Sequence, residues 1–191
     1  MTTRYTFVRH GECEKNLENV TGGKGARLTE RGADQAREVA AEMASELIRA
    51  TIVACPAVQA TQTAAIIAGA MKCEYQVEER LVPADMGVVS GLRQQDIEIQ
   101  YPAYAEQLRR WRRREIEAHE LRIQGVEPPA EFWRRTMAVL REYDRGEEVV
   151  VVATRSIMVF AANLGMGRAP DPGGGYKHVN IEHCQRLTVR L

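Results

Sequence analysis

The stretch Tyr5-Thr6-Phe7-Val8-Arg9-His10-Gly11-Glu12 decides the fold of this chain. Its first four residues are aromatic, β-branched or apolar, and they predict a short strand. Arg9, His10 and Gly11 follow directly where that strand ends. Ligands of open α/β sheets bind at the carboxyl ends of the strands, so the stretch predicts a binding site there.

The rest of the chain alternates predicted strands with predicted helices. Thr29 is a good N-cap for a helix over residues 28–48, along which apolar residues recur at helical spacing up to Leu47. The uniformly apolar run Val149–Val152 is typical of a central parallel strand that is covered on both faces. The other predicted strands are 51–54, 75–77 and 187–191, and the other predicted helices are 60–70, 96–121, 130–143 and 156–164. Residues 83–94 are predicted as an irregular loop, and the whole pattern favours an α/β fold with a mostly parallel sheet.

Composition places the chain among ordinary globular proteins. It has 191 residues, of which 45% are hydrophobic and 27% charged. This length predicts a single domain over residues 1–191. Lys and Arg total 26 and so do Asp and Glu, which argues against a general binder of nucleic acid or of membrane surfaces.

The cysteine pattern and the N-terminus bear on the compartment. The chain has four cysteines without a CxxC pair, so a disulfide framework is not expected. The N-terminus lacks the apolar core of a signal peptide, and no apolar run approaches membrane-spanning length. These features predict a cytoplasmic protein with free thiols. His178, His183 and Cys184 do not have the spacing of a zinc site, and neither a metal nor another cofactor is expected.

Two distant segments are expected to form one pocket, because Arg9-His10 and Thr154-Arg155 each follow a predicted strand. A neutral histidine can attack phosphorus and hold the phosphoryl group covalently before water removes it. Arg9 offers a bidentate guanidinium, and the backbone of Gly11 can approach a ligand closely. Asn16 adds a neutral donor. Transfer of a phosphoryl group depends mostly on such positioning and electrostatics.

With these residues the chain resembles the histidine phosphatase superfamily, in its phosphoglycerate mutase-like branch. The resemblance covers nearly the whole chain and rests on several motifs in order: Phe7-Val8-Arg9-His10-Gly11-Glu12 with Asn16, Leu28-Thr29-Glu30-Arg31-Gly32 with Gln35-Ala36, Pro56 with Gln62-Thr63-Ala64, Gly87 and Gly91, Tyr101-Pro102, and Glu131. It implies a three-layer α/β/α sandwich around a mostly parallel central sheet. It also implies His10 as nucleophile and Arg9 as phosphate ligand.

The departures from the family pattern are equally informative. The family's second phosphate-binding arginine falls at Gln59, its proton-donor glutamate near Pro83, and its second histidine at Arg155. Cys55 replaces the usual serine and Cys13 the usual threonine. A positioned acid contributes about 10²–10⁴-fold to such reactions. The resemblance therefore implies phosphate binding together with weak or lost phosphohydrolase activity.

Three hypotheses stay open at this point. The first is a protein that binds phosphate or a small phosphomonoester with little turnover. The second is an active phosphomonoesterase with a rearranged site, in which Arg155 supplies the missing charge, Asp85 the acid and Gln59 a hydrogen bond to phosphate. The third is a non-catalytic interaction protein on a relic scaffold. The sequence leaves the substrate and a homodimer open, and it admits His183 as a substitute catalytic histidine.

An arginine-rich stretch around Trp111 is the last unusual feature. It consists of Arg109, Arg110, Arg112, Arg113 and Arg114. We interpret it as a solvated helix face, paired with Glu106 and Glu117 at helical spacing. The alternative is a docking face for an anionic partner or for the tail of a substrate.

Overall fold

The computed structural model describes residues 2–23, 25–46 and 49–191. Its strands are β1 (Arg4–Arg9), β2 (Thr51–Ala54), β3 (Tyr75–Val77), β4 (Glu148–Ala153) and β5 (Arg186–Arg190). Its α-helices are α1 (Glu14–Leu17), α2 (Glu30–Glu46), α3 (Val58–Met71), α4 (Gln94–Gln100), α5 (Pro102–Arg112), α6 (Pro129–Glu142) and α7 (Arg155–Gly165). Short 3₁₀ turns cover Gly87–Val89 and Ala118–Glu120.

The strands form one sheet in the order β3-β2-β4-β1-β5. β1 and β2 both pair in parallel with β4, and β3 pairs in parallel with β2. β5, at the edge, runs antiparallel to its neighbour β1. Because Val8 pairs with Val152, which in turn pairs with Ala54, the three central strands end at the same edge of the sheet.

Both faces of the sheet are covered. Residues 149–153 of β4 are all buried, whichever face each side chain occupies. The core continues from Phe7 and Val151 into Phe160 of α7 and Ile67 of α3, all at most 1% exposed. The predicted three-layer α/β fold with a mostly parallel sheet is therefore confirmed.

The predicted helix over 96–121 is wrong in extent. The chain forms α4, breaks at Tyr101 and restarts at Pro102, where the missing N–H of proline suits the first turn of a helix. α5 then ends at Arg112, and Arg114 adopts a left-handed conformation with φ of 64°. The N-cap of α2 is as predicted, since Thr29 Oγ1 accepts a hydrogen bond from the N–H of Gly32 at 2.9 Å. The end of that predicted helix, with Leu47, lies outside the described residues.

A close approach of two glycines ties β1 to α2. A Cβ on Gly11 would overlap the carbonyl oxygen of Gly32 and lie 2.9 Å from its carbonyl carbon. A Cβ on Gly32 would in turn lie 2.8 Å from the backbone nitrogen of Glu12. Both positions therefore require glycine, and the segment after β1 is held rigidly against the start of α2.

Two further expectations concern the cysteines and membrane-spanning segments. Cys13, Cys55, Cys73 and Cys184 are all free, as the sequence predicts. None of the helices in the described ranges has the length and apolar character needed to cross a bilayer.

Candidate functional site

A cavity of about 450 Å³ opens at the carboxyl edge of the sheet. Five of the residues predicted for the site line it: Arg9, His10, Asn16, Gln59 and Arg155. They come from the end of β1, from α1, from the first turn of α3 and from the first turn of α7. The predicted convergence of the ends of β1 and β4 therefore occurs in the structure.

His10 is held as a neutral imidazole. It is 3% exposed, and its Nδ1 lies 2.7 Å from the carbonyl oxygen of Gly11. A carbonyl only accepts, so Nδ1 carries the hydrogen and Nε2 carries a lone pair. Burial, partly offset by that hydrogen bond and reinforced by the charge of Arg9, lowers the pKa of His10 to about 3. This state suits attack on an electrophilic phosphorus.

Arg9 is buried without a carboxylate partner in the described structure. It is 4% exposed, and its Nη1 donates to the carbonyl oxygen of Ile181 at 2.5 Å. Its Nη2 lies 3.0 Å from Nε2 of His183, while its Nε has no partner among the described residues. Burial, followed by the charge of Arg155, lowers the pKa of Arg9 to about 10. The guanidinium stays charged at neutral pH.

His183 stands beside the proposed nucleophile. Its ring centroid lies 6.0 Å from that of His10, and it lines the same cavity. Nε2 of His183 lies between Nη2 of Arg9, which can only donate, and Oδ1 of Asn16 at 3.1 Å, which can only accept. Burial, followed by the charge of Arg9, lowers the pKa of His183 to about 4.

Gln59 and Asn16 contribute amides to the wall. Gln59 is fully buried and its Oε1 accepts from the N–H of Ala26 at 3.1 Å. Its Nε2 is buried without a partner among the described residues. Asn16 Oδ1 accepts from the N–H of Cys13 at 3.0 Å, which fixes the amide at the start of α1.

Gly11 has a different position from the one expected. It does not line the cavity, and its N–H donates to Oγ1 of Thr63 at 3.2 Å. The close approach that requires glycine is to Gly32, not to a ligand. Gly11 therefore acts on the site through its carbonyl oxygen, which orients His10.

Asp85 does not reach the cavity. It is exposed, and its Oδ1 accepts hydrogen bonds from the N–H of Gly87 at 2.9 Å and from Oγ of Ser90 at 3.0 Å. Pro83 and Ala84 line the cavity where the resemblance places the acid. Among the described lining residues there is neither an aspartate nor a glutamate.

Cations are more numerous in the cavity than the sequence suggests. Lys15 and Arg112 line it beside Arg9 and Arg155. Arg155 is the first residue of α7, whose N-terminus adds a favourable field for an anion. Burial lowers the pKa of Lys15, and the charge of Arg155 lowers it further. The lining therefore combines four cationic side chains with no carboxylate among the described residues.

Arg112 corrects the interpretation of the arginine-rich stretch. Arg109, Arg110 and Arg113 lie at the surface and pair with Glu98, Glu106 or Glu115, as a solvated face would. The other predicted partner, Glu117, lies instead beside His119. Arg112 is instead half-buried, and its Nη1 donates to Oε1 of Gln94 at 2.7 Å. Its position four residues after the buried Leu108 is the sequence signal that places it on the inward face of α5.

Trp111 and His178 complete the wall next to Arg112. Their rings meet edge to face with centroids 4.9 Å apart. Nε1 of Trp111 and Nδ1 of His178 are both buried without a partner among the described residues. No sequence pattern brings His178 here, because it lies in an irregular segment far along the chain. The zinc interpretation gains no support, since no group of three or more potential ligands is found in the described part.

An α/β sheet with a neutral histidine, buried arginine and cationic cavity at its carboxyl edge defines a phosphate-handling class of protein. Comparison with known sequences gives the particular family. The sequence profile of the Histidine phosphatase superfamily (branch 1) matches residues 5–185. The chain belongs to this family.

Individual relatives agree with that assignment. The chain is 31% identical to Phosphoserine phosphatase 1 of Hydrogenobacter thermophilus, over 97% of this chain and 90% of the relative. Among solved structures, Bacillus stearothermophilus YhfR superposes with a TM-score of 0.82 at 19% identity, over 97% and 90% of the two chains. A mycobacterial glucosyl-3-phosphoglycerate phosphatase in complex with VO3 superposes with a TM-score of 0.79 at 19% identity, over 97% and 90%. At such identities the two structures support the fold alone.

Proposed function

We propose that the chain binds inorganic phosphate or a phosphomonoester between His10, Arg9 and Arg155, and that its phosphohydrolase activity is weak or lost. The observation that carries the proposal is the lining of the cavity, which holds cations and a neutral histidine but no carboxylate among the described residues. A buried guanidinium without a counter-charge is costly, so an anion is the natural occupant. This argument also speaks against a relic scaffold.

The site supports nucleophilic attack on phosphorus, but it does not supply the proton that the leaving group needs. Nε2 of His10 has the lone pair needed to attack phosphorus, and Arg9 and Arg155 stabilise the charge on the phosphoryl oxygens. The departing oxygen needs a proton, however, and Asp85 is not placed to give one. The loss of a positioned acid costs about 10²–10⁴-fold in rate.

An active phosphomonoesterase is the second candidate, and one observation favours it. His183 lies 6.0 Å from His10, ring centroid to ring centroid. A bound phosphate dianion raises the pKa of a neighbouring histidine, which favours the protonated form of His183 when the site is filled. In this alternative the protonated His183 replaces the missing acid.

Thermal stability in the presence of phosphate tests the binding. Phosphate raises the melting temperature progressively with concentration, because it binds the folded state. In Arg9→Gln, which removes the charge and keeps much of the volume, most of that rise disappears. Arg113→Gln is the matched control, since its side chain is 69% exposed and lies outside the cavity. A melting temperature that is indifferent to phosphate and to phosphomonoesters would favour the relic scaffold.

A further inference from the structure

Arg135, in α6, spends its whole guanidinium on one irregular segment and one carboxylate. Its Nη1 donates to the carbonyl oxygens of Arg80 and Val82 at 3.2 Å and 2.9 Å, and its Nη2 donates to that of Pro83 at 3.2 Å. The carboxylate of Glu127 accepts from Nε at 2.7 Å and from Nη2 at 2.9 Å. A guanidinium has five N–H donors, and each of them has an acceptor here.

The segment held in this way, residues 80–85, contains neither helix nor strand. Pro83 and Ala84 line the cavity, and the N–H of Ala84 donates to Oγ of Ser156 at 3.1 Å. Ser156 lies in the first turn of α7 and lines the cavity as well. Irregular backbone has no hydrogen-bond ladder of its own, so side chains have to satisfy its polar groups. Arg135 and Ser156 therefore fix this part of the wall.

The same ion pair holds the place where a second, smaller core joins the sheet. Apolar side chains of residues 86–126, which we call the cap, form a hydrophobic cluster separate from the core of the sheet. The buried members of the cluster are Val89, Ile97, Ala105, Leu108, Ile116, Leu121 and Ile123. The two ends of the cap meet, because the N–H of Glu127 donates to the carbonyl oxygen of Asp85 at 2.9 Å. The N–H of Asp85 donates in turn to Oε2 of Glu127 at 3.3 Å.

Geometry, more than charge, makes Arg135 effective at this position. Its side chain is 28% exposed and that of Glu127 is 16% exposed, and ion pairs near the surface contribute little by themselves. The guanidinium also lies over the ring of Phe132, 4.8 Å from its centroid. A lysine has a single ammonium on a flexible stem, so it cannot reproduce a planar fork that bonds several carbonyl groups at once.

The cavity has room for more than a phosphoryl group. Its volume is about 450 Å³, and in the proposed function the phosphoryl group contacts His10, Arg9 and Arg155. The remaining lining includes Pro83 and Ala84 together with side chains of the cap. The ester group of a bound phosphomonoester therefore packs against the surfaces that Arg135 holds.

We propose that Arg135, together with Glu127, is a positioning residue for the ester group of the ligand. It fixes residues 80–85 and the joint of the cap, and so sets the shape of the cavity beyond the phosphoryl group. Arg135 does not line the cavity itself, so it acts only through the backbone that it holds. The inference rests on the proposed function, which supplies the phosphomonoester.

Calorimetric titration with methylphosphonate and benzylphosphonate, at one pH and one ionic strength, tests the inference. Both probes carry the same phosphonate head, and neither can be hydrolysed as an ester. The wild-type protein binds benzylphosphonate about tenfold tighter, because the ring packs against a fixed wall. In Arg135→Lys this advantage falls to about twofold or less, while the affinity for methylphosphonate stays within about threefold. Arg134→Lys, at the exposed neighbouring position, is the matched control and keeps the full advantage.

Amide hydrogen exchange of the ligand-free protein gives a second readout, which a general loss of stability does not reproduce. The N–H groups of Ala84 and Asp85 are protected by Ser156 and Glu127. In Arg135→Lys their exchange accelerates by a larger factor than that of the amides of β4, since the segment opens locally. A change that only destabilises the fold accelerates β4 at least as much.

The outcomes separate the inference from the proposed function. If neither phosphonate nor inorganic phosphate binds, the proposed function fails and the inference fails with it. If they bind and Arg135→Lys keeps the wild-type preference, or the wild-type protein has no preference for the benzyl group, the inference is overturned while the proposed function stands. Equal acceleration of exchange in residues 80–85 and in β4 shows a merely structural role and overturns it as well.

Discussion

Replacing Gly11 by alanine tests how the site is anchored to the fold. The new Cβ would overlap the carbonyl oxygen of Gly32 and lie 2.9 Å and 3.1 Å from its carbonyl carbon and Cα. All of these neighbours are backbone atoms at the start of α2, so no side-chain rotation relieves the clash. Overpacking of this kind costs about 1–3 kcal/mol, and we expect the upper end because a helix terminus must move.

A loss of about 3 kcal/mol lowers the melting temperature of a chain of this size by about 6–12 °C. Thermal and urea denaturation measure it directly, and phosphate binding weakens in parallel because the carbonyl of Gly11 orients His10. Gly69→Ala is the matched control. Gly69 is exposed in α3, and a Cβ at this position would have nothing within 4 Å, so this change gains about 0.5–1 kcal/mol. A Gly11→Ala protein within about 1 kcal/mol of the wild type refutes the packing argument.

Two further predictions concern the pH dependence of stability and the position of Asp85. Burial lowers the pKa of His10 to about 3 and that of His178 to about 4, so the unfolded chain binds more protons below pH 6.5. The free energy of unfolding therefore falls as the pH is lowered from about 6.5 to about 4, by up to about 1.4 kcal/mol per pH unit for each of these histidines. His178→Phe makes that dependence shallower, and an unchanged slope would contradict the burial of a neutral imidazole. Asp85→Asn leaves the phosphate-dependent rise in melting temperature intact, because the carboxylate caps a turn outside the cavity; loss of the rise would return Asp85 to the site.

The sequence predicts the sheet and the part of the site formed by Arg9, His10 and Arg155, because both depend on local signals. β1 and β4 are apolar runs, and Arg9, His10 and Arg155 follow them directly, so the rule that parallel strands end at one edge brings these residues together. The same logic predicts the N-cap at Thr29. These features need no knowledge of long-range packing.

The rest of the cavity wall could not be predicted in the same way. Lys15 lies in α1, which has only four residues and is too short for a periodic pattern. His178 and His183 come from the irregular segment before β5, where only tertiary packing decides the direction of a side chain. Arg112 is hard to distinguish in the sequence because arginines lie on both sides of it. Its spacing from Leu108 nevertheless places it on the inward face of the helix.

The central claim is that the site binds a phosphomonoester but lacks an acid for the leaving group. Turnover of an aryl phosphate compared with an alkyl phosphate tests it most directly, because only the poorer leaving group depends strongly on proton donation. We predict slow hydrolysis of the aryl ester, abolished by His10→Ala, and hydrolysis of the alkyl ester slower by about 10²-fold or more. Brisk turnover of both esters at similar rates, lost in His10→Ala, would contradict the claim and establish a working acid in the cavity.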